Sequence, residues 1–193
     1  MPISSVLTSK TCFMVMDWKT IIDKYYPREG RLREILLTHS QSVTHRALQI
    51  VSLHPELKLD RDFIAEAAML HDIGIIRCDA PDICCFGDEP YIRHGILGAA
   101  MLRAEGFPRH ARVCERHTGA GLSSEEICAR NLPLPHTDFL PETLEEQVIC
   151  YADKFYSKSH LEREKTIAQA EKSISAFGEA GLARFRRWVE MFE

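Results

Sequence analysis

Six side chains in the 193-residue sequence have the types and placement to hold a metal ion: His39, His71, Asp72, His94, His117 and Asp153. His39 lies one helical turn from Ile35 and Val43, and His71 one turn from Ala67 and Ile75. An imidazole on a buried face costs desolvation unless something pairs with it. His94 follows His71 by 23 residues, and His117 follows His94 by another 23. Asp153 sits one position off an apolar ridge spanning 149–156, where a lone carboxylate would be expensive. Taken singly, each histidine reads more readily as a hydrogen-bonded core residue. Taken together, four imidazoles and two carboxylates aimed inward can satisfy one another through a divalent cation. Such mixed donors suit iron, manganese, nickel, cobalt or zinc, and not the all-oxygen cage of calcium.

The elements that must position these groups read as helices. Leu32, Ile35, Leu36, His39, Val43, Ala47, Ile50 and Val51 step by three and four, and the stripe should stop near His54 because Pro55 disfavours helix at the residue before it. Asp60 or Asp62 can cap the next helix, with Ile64, Ala67, Ala68, His71 and Ile75 on one face. Residues 78–90 carry turn chemistry, a third helix is expected over about 91–105, and a fourth from Pro108 to His117. Ser123 or Ser124 with Glu126 starts a short fifth helix. A long one is expected from Pro141 or Glu142 to about Ser159, then stripes at 167–177 and 185–192. No segment alternates with period two, so no strand is expected. The fold class is all-α, a single-domain helical bundle over 17–193, preceded by an irregular extension at 1–16 with a plausible Asp17 N-cap at the boundary.

Composition narrows the function. The formal net charge is −4, leaving no basic excess to hold a nucleic-acid backbone, so no nucleic-acid partner is expected. No apolar run approaches a membrane span, and the seven cysteines are scattered rather than framed, which points to a reducing cytoplasm. Cys78, Cys84 and Cys85 match no closed zinc knuckle and read as loop and core thiols. No Gly-x-Ser-x-Gly elbow exposes a nucleophile, and the glycines match neither Walker nor dinucleotide spacing. Glu162-Arg163-Glu164-Lys165 reads as a solvated helix face. His45, His54, His110, His136 and His160 have no motif partner and read as surface or structural, His136 lying in a Pro-flanked loop. Of the basic residues nearest the constellation (Arg77, Arg93, Arg116 and Lys154), Lys154 and Arg77 are the first choices to offset charge on a phosphate ester.

His39-Ser40, then His71-Asp72-Ile73-Gly74, then Tyr151-Ala152-Asp153-Lys154 resembles the HD-domain superfamily of metal-dependent phosphohydrolases over roughly residues 30–160. The resemblance implies that His39, His71, Asp72 and Asp153 bind a first metal. It implies that His94 and His117 serve a second, as in the branch where the Asp of the pair bridges both ions. The Gly-Tyr-Pro signature of the cyclic-dinucleotide phosphodiesterases is missing, and Ile75-Ile76-Arg77 departs from the alarmone hydrolases. The six-ligand layout looks closest to the hydrolases that split diadenosine tetraphosphate symmetrically, although Arg77 stands near where those carry a Lys. The expected activity is hydrolysis of a nucleotide or another small phosphate ester by a metal-activated water, with Asp72, Lys154 and Arg77 as the catalytic set and access through the 78–90 and 118–141 loops. The rival is a metal- or nucleotide-binding module without turnover. No membrane partner is expected, and a homo-oligomer is left open.

Overall fold

The computed structural model describes residues 16–193, so the extension expected at 1–16 lies, apart from Met16, outside the described residues. Five of the nine described α-helices begin where a short polar side chain accepts one of the first free N–H groups. Asp17 caps α1 (Trp18–Tyr25) and Asp60 caps α3 (Arg61–Leu70). Between them runs α2 (Arg31–Leu53), which stops at His54 before Pro55 as expected. Then come α4 (His94–Ala104) and α5 (Pro108–Arg116). A reciprocal Ser123–Glu126 capping box starts α6 (Ser124–Ala129), and Thr143 caps α7 (Leu144–Asp153). Thr166 and Gln169 form a second box at α8 (Ile167–Ser175), before α9 (Glu179–Phe192).

Two large apolar clusters hold most of these helices together. One joins Val43, Ala47 and Ile50 of α2 to Ile64 and Ala67 of α3, Ile149 and Tyr151 of α7, and Phe185, Trp188 and Phe192 of α9. The other joins Ile21 and Ile22 of α1 to Leu36, Leu70, Ile73, Leu102 and Cys114. The metal-ligand candidates sit along the seam between them. The architecture is all-α, as the stripes imply. No described helix is long and apolar enough to cross a membrane.

Three expectations need correction. Strands are present: β1 (Cys78–Ala80) pairs antiparallel with β2 (Cys85–Phe86) and parallel with β3 (Glu89–Pro90), in the order β2-β1-β3. At two or three residues each, they are too short to show period two in sequence. The long helix expected to reach Ser159 ends at Asp153. There the N–H groups of Lys154, Phe155 and Tyr156 each donate to the carbonyl three residues back, tightening the chain out of α geometry. The 162–165 charge run is not a helix face but part of the irregular segment that follows.

Candidate metal centre

His71 is the C-cap of α3, and Asp72 begins the 3₁₀ turn Ile73–Arg77. The Tyr26 hydroxyl clamps this turn, donating to the Ile73 carbonyl at 2.7 Å and accepting from the Ile76 N–H at 3.2 Å. Gly74 then lets α4 approach: a Cβ there would overlap the His94 carbonyl and the backbone nitrogen of Gly98. Close approach continues at Gly95, where a Cβ would lie 2.6 Å from the Cys114 carbonyl of α5. These contacts bring His94, the first residue of α4, and His117, the C-cap of α5, onto Asp72. His39 arrives from mid-α2 and Asp153 from the end of α7.

All six are buried. The ligand atoms of His39, His71, Asp72 and Asp153 lie within 4.8 Å of one another, as do those of Asp72, His94 and His117. Asp72 belongs to both sets and divides its oxygens between them. Its Oδ2 lies 3.1 Å from His39 Nε2 and 3.0 Å from His71 Nε2. Its Oδ1 lies 3.5 Å from His94 Nε2 and 3.3 Å from His117 Nε2. Asp153 Oδ1 closes the first set, 3.0 Å from His39 and 3.5 Å from His71. Despite these distances, both oxygens of Asp72 and the Nε2 atoms of His39 and His71 lack hydrogen-bond geometry. Buried polar atoms that converge without bonding one another suit a shared cation.

The ring orientations give the same answer. His71, His94 and His117 each donate Nδ1–H to the carbonyl three residues back, of Ala68, Tyr91 and Cys114, every time at 2.7 Å. That fixes the tautomer and turns Nε2 inward, the second-sphere device typical of metal-binding imidazoles. Burial and the neighbouring His117 push His94 down to about 3, and burial lowers His117 as well. Both rings are therefore neutral, and their Nε2 lone pairs face each other at 3.0 Å with no proton between them. Only an electrophile makes that arrangement favourable. Burial disfavours charge on His71, but the Asp72 and Asp153 carboxylates raise it to about 9. Against the cost of burial, Lys158 and His71 hold Asp72 well below the usual carboxylate range, and Lys154 and His39 do so for Asp153. The donor set is ionised carboxylate plus imidazole, His71 giving up its Nε2 proton to a bound cation, and it fits a divalent transition metal.

The centre lies at the base of a cleft of about 540 Å³, walled by Ala80–Ile83, Tyr91, Thr118, Gly119 and the segment after α7. Lys154 reaches the cleft but is engaged, 2.6 Å from Asp153 Oδ2 and 2.8 Å from the His117 carbonyl. Arg77 is not brought there. With Ile73, Gly74 and Ile75 turned into the core, it ends the 3₁₀ turn exposed and away from the cleft lining. Arg93 pairs with Glu89, Arg116 binds the Leu140 carbonyl and Glu142, and His136 is exposed. Most of the 118–141 loop forms a small apolar cluster of its own around Leu122, Ile127 and Phe139 instead of lining the entrance. The Cys78 and Cys85 thiols, pushed up by burial to about 11 and about 12, stay protonated and join no ligand group among the described residues.

The residue that sequence reasoning missed is Lys158. Its side chain is 13% exposed and its ammonium lies 2.6 Å from Asp72 Oδ2, with the Tyr91 ring 5.9 Å away and stacked in turn on His94. Burial opposes its charge, but Asp72 and Tyr91 hold it well above the ordinary lysine range. The available signal was the loss of apolar period after Tyr156, within Ser157-Lys158-Ser159.

The comparisons agree with this geometry. The chain is 34% identical over 129 residues to a tRNA (cytidine(56)-2'-O)-methyltransferase of Picrophilus torridus, a stretch covering 66% of this chain and 33% of that one. A Thermoplasma volcanium protein of the same name is 33% identical over 125 residues, covering 64% of this chain and 32% of its own. The chain thus spans about a third of the methyltransferases' length. An uncharacterized protein of Methanocaldococcus jannaschii is 32% identical over 145 residues, covering 73% of this chain and 78% of its own. No solved structure matches. The HD domain family model matches residues 36–157, a span that opens before His39 and closes after Asp153 and so contains all six converging side chains; the chain belongs to the HD-domain superfamily.

Proposed function

We propose that this protein is a metal-dependent phosphohydrolase acting on a nucleotide or another small phosphate ester. The observation that carries the reading is the division of Asp72, one oxygen to the His39–His71 pair and the other to His94–His117, at the base of an open cleft. His39, His71, Asp72 and Asp153 would hold one ion, and Asp72, His94 and His117 a second, the candidates being iron, manganese, nickel, cobalt and zinc. Ions held there supply Lewis acidity, lowering the pKa of water towards neutrality and offsetting charge on the phosphoryl oxygens. The chain's own residues do the rest. The Nδ1–H bonds to backbone carbonyls keep three imidazoles aimed, and Lys154 fixes Asp153 to the His117 carbonyl. Lys158, not Arg77, is the cation placed to meet a phosphate oxygen, because it lines the cleft beside Asp72. The cleft volume suits a small molecule. The methyltransferase name of two relatives is not carried over, since the shared stretch is only a third of those proteins.

The test is element analysis of protein purified without chelator, followed by a panel of nucleotides and aryl phosphates in the metal found. Stoichiometric metal with turnover of at least one phosphate ester is expected. Stoichiometric metal with no turnover across the panel would refute hydrolysis and leave a metal-holding binding module.

A further inference from the structure

Beyond the metal centre, the segment that turns back after α7 builds a second cavity of about 460 Å³. His160, Arg163, Lys165 and Lys172 line it, and the remaining lining positions are serine and glutamine. It is continuous with the cleft, because Ser157, Lys165 and Ser173 line both. Among the described residues no carboxylate lines it, although the same segment contains acids. Glu164 is turned away to Arg46, and Glu171 is held by Arg186. Lys165 has no ion-pair partner among the described residues, yet it is partly buried with two other lysines, Lys154 and Lys158, close enough to disfavour its charge. Asp153 is the one carboxylate acting on it in the opposite sense, and that oxygen pair is already taken by His39 and Lys154. Lys165, partly buried at the wall of the cleft, and the exposed Arg163 and Lys172 leading away from it make a row of cations with no ion-pair partner among the described residues, a positive surface that suits an anion from outside.

We propose that Arg163, Lys165 and Lys172 form a second phosphate subsite, so that the substrate is a small molecule carrying two separated phosphates, one at the metal centre and one in this annex. The proposal rests on the hydrolytic reading of the metal centre. It adds that recognition is bidentate, and that Lys165 stands at the junction through which the linker between the phosphates passes. A monophosphate would leave the annex cations unpaired and forgo the contribution of their charge-assisted hydrogen bonds.

Alkane α,ω-bisphosphonates test this, because their P–C bonds resist hydrolysis and binding is read apart from turnover. Calorimetry on the metal-loaded full chain compares linkers of increasing length with methylphosphonate. A gain in affinity of at least tenfold is expected at one or two lengths, and it should fall below twofold in the Arg163→Ala/Lys172→Ala variant, whose substituted side chains are both exposed. Less than a twofold gain at every length, or a gain unchanged in the double variant, would overturn the annex. So would a gain seen only with a single-stranded oligoribonucleotide, which would give the site to a nucleic-acid backbone. Turnover of p-nitrophenyl phosphate, measured alongside, reports on hydrolysis alone. Turnover without the bisphosphonate gain refutes the second subsite, and the gain without turnover refutes hydrolysis while upholding two-phosphate recognition.

Discussion

Replacing His94 and His117 together by alanine should take one of two ions out of the centre and leave the other in place. The two sets of ligands share only Asp72, so the double substitution removes two of the three side chains in one set and none of the four in the other. Loss of a second-sphere partner alone typically weakens a metal site 10–100-fold, on the order of 1.4–2.8 kcal/mol. Loss of two direct ligands should exceed that and drop the second ion below detection after dialysis. The cost to the fold should be smaller than two buried-histidine deletions suggest. Each ring forfeits one Nδ1–carbonyl hydrogen bond, worth about 1 kcal/mol, but the metal-free protein is also relieved of two lone pairs held 3.0 Å apart. Element analysis of protein purified without chelator should therefore fall from two ions per chain to one, with a cooperative unfolding transition retained. If the lost ion contributes several kcal/mol to the transition state, turnover of a phosphate ester should drop about 10³-fold, with a much smaller change in KM. A metal count unchanged in the double variant, or a wild-type count of one, would refute the division of Asp72 between two ions.

Lys158→Met should raise KM for a phosphate ester about 10–100-fold, the value of one charge-assisted hydrogen bond, while metal affinity holds or rises because a competing cation leaves Asp72; an unchanged KM would exclude phosphate contact. Gly74→Ala should destabilise the protein by about 3 kcal/mol or more in urea titration, because its Cβ would meet backbone of α4 rather than a movable side chain. His110, which burial and Arg109 push down to about 4, gives a pH dependence. Since the unfolded chain binds this proton first, near pH 6.5, stability is fully present above that value and is lost as pH falls towards about 4. The loss is about 2 kcal/mol after allowing for solvent screening, and His110→Gln should flatten that window relative to wild type in urea midpoints at pH 7 and 4.5.

How much of this could be read from the chain depends on which physical signal each residue carries. His39, His71 and Asp153 were legible because a polar group on or beside a 3.6-residue apolar stripe is a visible anomaly, and burial of all three bears that out. His94 and His117 were legible only as members of a set, since each caps or starts a helix where its apolar neighbours say little. Arg77 and Lys158 mark the limit. Both stand a few residues beyond a ligand, but Arg77 ends a turn whose buried face is used up by Ile73, Gly74 and Ile75. Lys158 follows three consecutive i→i−3 bonds that reverse the chain over the cleft. Periodicity extrapolates a helix; it carries no information about where the helix tightens and turns back. The small β1–β3 sheet is invisible for a related reason, being fixed by pairing across 78–90 rather than by local pattern.

The His71-Asp72-Ile73-Gly74 run carries chemistry at its first two positions and geometry at its last two. Ile73 is buried in the cluster around α1 and gives its carbonyl to Tyr26, so the turn after Asp72 is anchored on the side away from the cleft. Gly74 lets α4 lie against that turn, and Gly95 lets α5 lie against α4. Each missing Cβ removes a spacing of one methyl group between backbones, and a ligand sphere tolerates errors far smaller than that. The first ligand set depends less on the glycine contacts, because His39 and Asp153 reach Asp72 from α2 and α7. The second set depends on them, because His94 and His117 ride on the two helices that the glycines admit. The glycines of this region therefore bear most directly on the second site, and a side chain at Gly95 would separate His117 from Asp72 and reach the first set only through the Lys154 bond between the His117 carbonyl and Asp153.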